Sequence, residues 1–225
     1  MRVMENNICE RIKDLFDNYQ DVLFGFSDAS FSDYADKYKG VLVFAVPHSK
    51  FLKIEDYQEQ AFDAILRETR ERAKTIQREI ELILLEENSE YELPPASQKS
   101  EETLAAPLSF KYAAVSARLG WIGKNDMLIT EKYGPRVTLS AVLINFDFPV
   151  TSPILVGKCP EGCLECVTAC PYNALKGKQW NINAKRSEII DYQLCNQKRR
   201  LYIELHNRKH ACGYCMLACP YGSRQ

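Results

Sequence analysis

Two stretches of ten residues in this chain are nearly identical, and each carries three cysteines. They read CLECVTACPY (residues 163–172) and CGYCMLACPY (residues 212–221), and eight of the nine cysteines in the 225-residue chain lie between Cys159 and Cys219. The N-terminus lacks the apolar stretch of a secretory signal, and no segment approaches the roughly 20 apolar residues of a membrane span. We therefore expect a soluble, cytoplasmic protein with no membrane partner, whose clustered cysteines are ligands rather than disulfides.

The spacing within each repeat indicates what the cysteines bind. Cys-x2-Cys-x3-Cys-Pro lets neighbouring thiolates converge on one inorganic core, and it is similar to the end of the bacterial ferredoxin run, whose last cysteine binds the other cluster in two-cluster proteins. Two 4Fe-4S clusters need eight thiolates, which is the number in this region. The crossed pattern assigns the first cluster to Cys159, Cys163, Cys166 and Cys219, and the second to Cys195, Cys212, Cys215 and Cys170.

Two spacings differ from the ferredoxin run. Three residues separate Cys159 from Cys163, where we expect Gly162 to absorb the extra residue, and Cys195 stands 17 positions before Cys212. The proline after the last cysteine of each repeat predicts that Cys170 and Cys219 are N-cap residues of short helices. A four-thiolate zinc site is the alternative, although zinc does not explain the third cysteine of each repeat.

The region around the cysteines is basic. Residues 176–210 carry nine Lys or Arg against three Asp or Glu, whereas residues 55–102 carry 14 Asp or Glu against six Lys or Arg. Nearby cations offset the negative charge of a thiolate-bound cluster. The alternative is a phosphate-binding stripe for nucleic acid, formed by residues 198–200 and 206–210. The acidic part is read as a solvated helix face.

Hydrophobic periodicity predicts strands separated by helices in the first two thirds of the chain. Helices are expected at residues 8–20, 55–87 and 107–119, and strands at residues 22–26, 40–47, 127–130 and 136–146. This pattern indicates an α/β or α+β domain over residues 1–150, followed by a second, metal-organised domain over residues 151–225. Cys9 lies on the first predicted helix, where we expect a small buried apolar residue.

The segment LGWIGKN (residues 119–125) joins a predicted helix to a predicted strand. Gly120 and Gly123 flank Trp121, and Lys124 and Asn125 follow, which is typical of a loop whose backbone approaches a ligand. A helix C-cap with a packed tryptophan is the alternative. We read the three histidines as polar loop or surface residues and include none of them in the site.

The phrase A-x-x-x-A-R-L-G-W-I-G-K-N, followed by two strands and the double cysteine repeat, resembles the epoxyqueuosine reductase family and, more distantly, the reductive dehalogenases. The resemblance implies a nitroreductase-like domain that binds base-off cobalamin, followed by a ferredoxin-like module with two 4Fe-4S clusters that reduce the cobalt. It also implies that Trp121, Gly123, Lys124 and Asn125 lie at the corrin.

The chain departs from the family pattern in the residues that complete the reaction. The position of the family's catalytic acid, in a Val-Asp-x-x-Pro phrase, is Leu104 here, so the proton donor is unknown; Glu101, Glu102, Tyr112 and Tyr133 are candidates. The chain ends six residues after Cys219, where larger members continue into a region that holds tRNA.

Three functions remain open from the sequence. The first is a cobalamin-dependent iron-sulfur reductase acting on a small or unknown substrate, supplied by an electron donor such as a ferredoxin or flavodoxin. The second is an electron-transfer protein that holds no corrinoid and reduces a partner protein. The third is a tRNA-binding modification enzyme, whose affinity for tRNA is expected to fall steeply with salt.

Overall fold

The computed structural model describes residues 2–96, 106–146, 154–207 and 212–222, with side chains from residue 7 onward. Within these residues the helices are α1 (Arg2–Asp17), α2 (Glu59–Glu86), α3 (Phe110–Ser116), α4 (Glu165–Thr168), α5 (Tyr192–Lys198), α6 (Leu201–His206) and α7 (Tyr214–Leu217). The strands are β1 (Leu23–Asp28), β2 (Gly40–Pro47), β3 (Tyr91–Glu92), β4 (Trp121–Ile122), β5 (Leu128–Ile129) and β6 (Val137–Ile144). Short 3-10 helices cover Ile54–Asp56 and Arg186–Glu188.

The chain forms two compact units, and each is built from separate stretches of sequence. The first comprises Met1–Pro47, Arg70–Leu119 and Thr138–Pro153. The second comprises His48–Thr69, Gly120–Val137 and Ile154–Gln225. Helix α2 therefore contributes its N-terminal part to the second unit and the remainder to the first.

A four-stranded sheet in the order β1-β2-β6-β3 forms the centre of the first unit. The outer pairs are antiparallel, with Leu23 opposite Ala45 and Tyr91 opposite Ile144. Every residue of β2 is buried, as its continuous run of apolar residues predicts. Strand residues pack with the apolar faces of α1 and α2 in one core, whose helical members are Ile8, Ile12, Phe16, Ala73, Ile76, Ile80 and Leu84.

The second unit has little regular structure and several small apolar clusters. Strands β4 and β5 form an antiparallel hairpin in which Trp121 lies opposite Ile129. Short helices and turns carry the cysteines, and an isolated bridge joins Leu175 to Ile190. Side-chain contacts with the cysteines therefore determine much of its packing.

The described elements agree with a mixed α/β fold. The predicted helices at residues 8–20, 55–87 and 107–119 correspond to α1, α2 and α3, and the strand at residues 40–47 coincides with β2. The two-residue strands β3 and β4 had no periodic signal and were missed. The domain boundary predicted at residue 150, the nitroreductase-like description and the ferredoxin-like description stay predictions.

No helix within the described residues combines the length and the apolar character needed to cross a membrane.

Candidate metal centre

Four cysteines from both repeats surround one cavity in the second unit. We call Cys159, Cys163, Cys166 and Cys219 the first cysteine group. They line a cavity together with Lys124, Asn125, Ile129, Pro160, Pro220 and Tyr221. Three of the four come from the first repeat region, and the fourth ends the second repeat. The structure thus brings together the four cysteines that the crossed pattern predicts for one cluster.

The remaining four cysteines of the region form a second set, which we call the second cysteine group: Cys170, Cys195, Cys212 and Cys215. Burial raises the pKa of Cys215, and negative charge on Cys212, Cys195, Cys166 and Cys170 raises it further. Cys170, Cys195 and Cys215 also pack in one apolar cluster with Cys166 of the first cysteine group. The two groups are therefore neighbours.

The two repeats fold alike. In the first, the amides of Ala169 and Cys170 donate to the carbonyls of Glu165 and Val167 at 3.0 and 3.2 Å; in the second, those of Ala218 and Cys219 donate to the carbonyls of Tyr214 and Met216 at the same distances. Cys170 and Cys219 thus follow the C-terminal ends of α4 and α7. The prediction that they are N-cap residues is wrong, because Cys-Pro-Tyr here leaves a helix and enters a turn.

The irregular cysteines are positioned by local backbone structure. Gly162 has a φ of +73°, a conformation that glycine adopts without a Cβ penalty, which agrees with its expected role beside the additional residue. Cys195 lies on α5, whose N-terminus is capped by Asp191 through the amide of Leu194 at 2.9 Å. The amide of Asp191 donates to the carbonyl of Ala174 at 2.8 Å, which places the start of α5 beside the end of the first repeat.

Burial disfavours the thiolate form of two cysteines of the first cysteine group, Cys166 and Cys219. Burial raises the pKa of Cys166 to about 12, with a further rise from Cys219, Cys159 and Cys163. Burial also raises the pKa of Cys219 to about 11, although the backbone amide of Tyr221 and the charge of Arg136 oppose it. Four neighbouring thiolates repel one another unless a cation centre binds them, so the donor set suits a multinuclear iron core.

Each cysteine group has an arginine beside it. Arg136 is 4% exposed, and its charge acts on Cys219. For Cys195, burial raises the thiol pKa and the positive charge of Arg199 opposes the rise. The Nε atoms of both arginines are buried and lack a hydrogen-bond partner among the described residues. Anionic clusters offer the acceptors and the charge that these two donors need, so the residues fit such a group.

The first cysteine group surrounds a cavity rather than one point. Within the described residues, no group of three or more His, Cys, Asp or Glu side chains is arranged to hold a metal ion. Cys9, the ninth cysteine, lies on α1 and packs against the core of the first unit.

The residues assigned by resemblance to the corrin lie in the second unit beside the first cysteine group. Trp121 is 1% exposed and packs with Ile129 and Cys219. Gly123 donates to the carbonyl of Met127 at 2.9 Å and so closes the β4-β5 hairpin. Both features agree with a packed loop. The indole Nε1 of Trp121 is buried without a hydrogen-bond partner in the described part of the chain.

The two polar residues of the same loop contact the cysteine repeats. Lys124 Nζ donates to the carbonyl of Cys163 at 2.9 Å and to that of Pro160 at 3.4 Å. Asn125 Nδ2 donates to the carbonyl of Cys215 at 3.1 Å. Their observed role is therefore to hold the cysteine loops, and the corrin contact stays a prediction.

The candidate proton donors lie in different parts of the chain. Glu101, Glu102 and Leu104 lie outside the described residues. Tyr112 packs against Phe31 in the first unit, with ring centroids 4.6 Å apart and the rings tilted by 57°. Tyr133 belongs to the second unit, and its hydroxyl is buried without a hydrogen-bond partner among the described residues.

Sequence reasoning missed Arg136, Arg199 and His48. Arg136 directly precedes the apolar strand β6, and a single charged residue at such a position is only a weak sequence signal of a functional role. Arg199 was counted in the basic stretch without being distinguished from its neighbours. His48 was read as a polar loop residue, yet its Nε2 is buried without a hydrogen-bond partner within the described residues.

Comparison with known proteins identifies relatives of one kind. No protein-family model matches the chain. It is 36% identical over 150 residues to an epoxyqueuosine reductase of Listeria monocytogenes, a match that covers 65% of this chain and 38% of the relative. It is 35% identical over 115 residues to an epoxyqueuosine reductase of Lactococcus garvieae, covering 48% of this chain and 31% of the relative. The matches therefore span less than half of these relatives.

Solved structures of two kinds share the fold. The epoxyqueuosine reductase of Streptococcus thermophilus has a TM-score of 0.57 at 18% identity, covering 96% of this chain and 66% of that one. An epoxyqueuosine reductase solved with a tRNA-Tyr epoxyqueuosine-modified stem loop has a TM-score of 0.58 at 19% identity, covering 99% and 66%. A catabolic reductive dehalogenase has a TM-score of 0.62 at 16% identity, covering 89% and 30%.

The sequence matches and the fold agree with the cysteine repeats and the GWIGKN phrase. The chain is therefore similar in sequence to epoxyqueuosine reductases, and it shares its fold with solved epoxyqueuosine reductases and reductive dehalogenases.

Proposed function

We propose that this chain is an iron-sulfur oxidoreductase with two 4Fe-4S clusters that deliver electrons to a cobalamin for a reductive reaction. The observation that carries the proposal is the first cysteine group. In it, Cys219 of the second repeat lines one cavity together with Cys159, Cys163 and Cys166. The relatives named epoxyqueuosine reductase support a reductase. The substrate of this chain is a separate question.

The arrangement of the cysteines supports electron transfer between two clusters. Each repeat supplies ligands to both groups, with Cys166 and Cys170 four residues apart in the first repeat and Cys215 and Cys219 four apart in the second. Such an arrangement keeps two clusters close, because the chain between their ligands is only one short turn. The cations Arg136 and Arg199 offset the added negative charge when a cluster is reduced.

The cobalamin is proposed from the family likeness. When bound, it would supply a reduced cobalt centre for the reductive step. We propose that four residues of this chain contact it: Trp121, Gly123, Lys124 and Asn125. The buried indole Nε1, which has no hydrogen-bond partner within the described residues, is a donor available to a ligand.

Metal analysis tests this proposal. The protein is purified without oxygen, and iron, sulfide, zinc and cobalt are measured before and after incubation with cobalamin. About eight irons per chain, as two four-iron clusters require, together with retained cobalt support the reductase. Eight irons without cobalt uptake would instead favour an electron-transfer protein that reduces a partner.

That electron-transfer alternative has its own support in the sequence. Leu104 occupies the position of the family's catalytic acid, and a side chain without an ionisable proton cannot serve as a general acid. An electron-transfer protein needs no proton donor of its own. Reduction of a partner corrinoid protein in the absence of bound cobalt is the positive result that this alternative expects.

A tRNA substrate is proposed on the likeness to the relative solved with a tRNA stem loop. Residues 176–210 are basic, as a phosphate-binding surface requires. Binding of a tRNA stem loop should weaken steeply as salt rises, because each neutralised phosphate releases counterions. Absent or salt-insensitive binding would remove tRNA as a substrate while leaving the clusters in place.

A further inference from the structure

The segment Gly120–Val137 carries two buried cations that each bind a different cysteine repeat. Lys124 is 8% exposed and Arg136 is 4% exposed. The ion pairs formed by the described residues include neither of them. Burying an unpaired charge is costly unless carbonyl groups or an anion compensate it.

Lys124 binds the loop of the first repeat region. Its ammonium donates to the carbonyls of Cys163 and Pro160, at 2.9 and 3.4 Å. Both carbonyls lie in the stretch that carries Cys159 and Cys163. The same ammonium also lines the cavity of the first cysteine group.

Arg136 binds the end of the second repeat. Its Nη2 donates to the carbonyl of Leu217 at 2.9 Å, its Nη1 donates to that of Tyr221 at 2.9 Å, and both nitrogens lie 3.3 Å from the carbonyl of Cys219. The guanidinium also stacks on Phe51, 4.0 Å from the ring centroid. This rigid fork holds the last residue of α7 and both ends of the Cys-Pro-Tyr turn, a geometry that a lysine cannot reproduce.

Cys163 and Cys219 lie 56 residues apart in sequence yet line the same cavity. The two cations that hold their carbonyls come from one short segment, which is tied by the β4-β5 hairpin. The segment therefore provides a physical link between the two repeats that does not require a cluster to be present.

We propose that Lys124 and Arg136 are positioning residues for the first cluster, which join Cys219 to the cysteines of the other repeat and whose charges make that cluster easier to reduce. The inference rests on the proposed iron-sulfur function. Reduction adds negative charge to the cluster, and buried cations nearby stabilise that charge more than exposed ones do.

The test compares Arg136→Met, Arg136→Lys and Lys124→Met with two control variants. Lys158→Met removes an exposed lysine that pairs with Glu131 and precedes Cys159 in the chain. Arg70→Met removes an exposed arginine of α2. Each protein is reconstituted with iron and sulfide without oxygen, and its iron content, electron paramagnetic resonance spectrum and reduction midpoints are measured. The signal that Cys219→Ala abolishes identifies the first cluster.

Arg136→Met and Lys124→Met should each lower the equilibrium constant for reducing the first cluster about tenfold, equivalent to about 59 mV for one electron. The midpoint of the second cluster should stay unchanged, as should both midpoints in the controls. Arg136→Lys should leave the reduction midpoint of the first cluster close to the wild-type value, because it retains the positive charge. It should change the spectrum or the iron retention of that cluster, because it lacks the guanidinium fork.

The outcomes separate this inference from the proposed function. If the wild type holds eight irons and the three variants leave the first cluster's spectrum and midpoint unchanged, the positioning role is wrong and the function stands. Equal shifts of both clusters would also overturn the inference. A wild type without iron would overturn the inference and the proposed function together. If Arg136→Met does not fold, Arg136→Lys and Lys124→Met decide the question.

Discussion

At the scale of single residues, His48 is a buried imidazole that the fold keeps neutral. Burial lowers the pKa of His48 to about 4, and the positive charge of Arg136 contributes to the shift. Its ring packs edge-on against Phe62, with centroids 6.2 Å apart. The folded protein thus resists protonation of a group that titrates near pH 6.5 when unfolded.

This depressed pKa predicts a loss of stability in mild acid. A histidine whose pKa is lower in the folded state stabilises the protein above pH 6.5, and that contribution disappears as the pH falls toward 4. Between pH 7 and pH 5 the wild type should lose about 2 kcal/mol more than His48→Leu, at about 1.36 kcal/mol per pKa unit. Denaturant unfolding of both proteins at pH 7, 6 and 5 measures the difference. Parallel pH profiles would contradict it.

The cysteine that ends each repeat provides a second prediction at this scale. Cys219→Ala should abolish the first cluster and leave the second, whereas Cys170→Ala should do the reverse, because each thiol belongs to the group built mainly from the other repeat. About four of eight irons should be lost in each case, and the remaining resonance signals should differ. Cys9→Ala is the control, since Cys9 packs in the core of the first unit. Loss of each variant's own neighbouring cluster would contradict the crossed arrangement.

At the scale of elements, the close contact between Gly213 and α2 restricts which residue the second repeat can carry at position 213. A Cβ on Gly213 would lie 2.5 to 2.9 Å from three ring atoms of Phe62, although the backbone φ of −115° suits any residue. Phe62 is 1% exposed and packs with Leu66, Met216 and Leu217. Any side chain at position 213 therefore displaces a buried ring.

Gly213→Ala should accordingly destabilise the protein by about 1–3 kcal/mol, as overpacking does. Phe62→Leu removes the ring atoms that clash and should cost about 1–2 kcal/mol alone, because the replacement is smaller. The double variant should be more stable than the sum of the two single changes predicts, which chemical unfolding measures. Additive losses would show that the ring does not cause the strain.

Sequence periodicity predicted the long elements because their burial repeats along the chain. The apolar positions of α2 and the unbroken run of β2 leave few alternatives, and both occur where the sequence predicts them. The role of Arg136 could not be predicted in this way, since its partners are backbone carbonyls more than 80 residues away. The N-cap expectation for Cys170 and Cys219 failed because proline suits a turn as well as a first helical position.

At the scale of the whole molecule, the two compact units do not follow one break in the chain. The unit that contains the cysteines also includes His48–Thr69 and Gly120–Val137. Composition changes only near residue 150, so a reading along the chain predicts one boundary there. The cysteine unit needs residues from three stretches because its own apolar clusters are small, and Phe62 and Trp121 supply large buried side chains to them.

Metal and sulfide analysis of the anaerobically purified full chain, together with its absorption spectrum, shows whether the double repeat holds two iron-sulfur clusters. We expect about eight irons and eight sulfides per chain, as two 4Fe-4S clusters require, with visible absorption that bleaches on reduction. Zinc in place of iron, with no acid-labile sulfide, would contradict it.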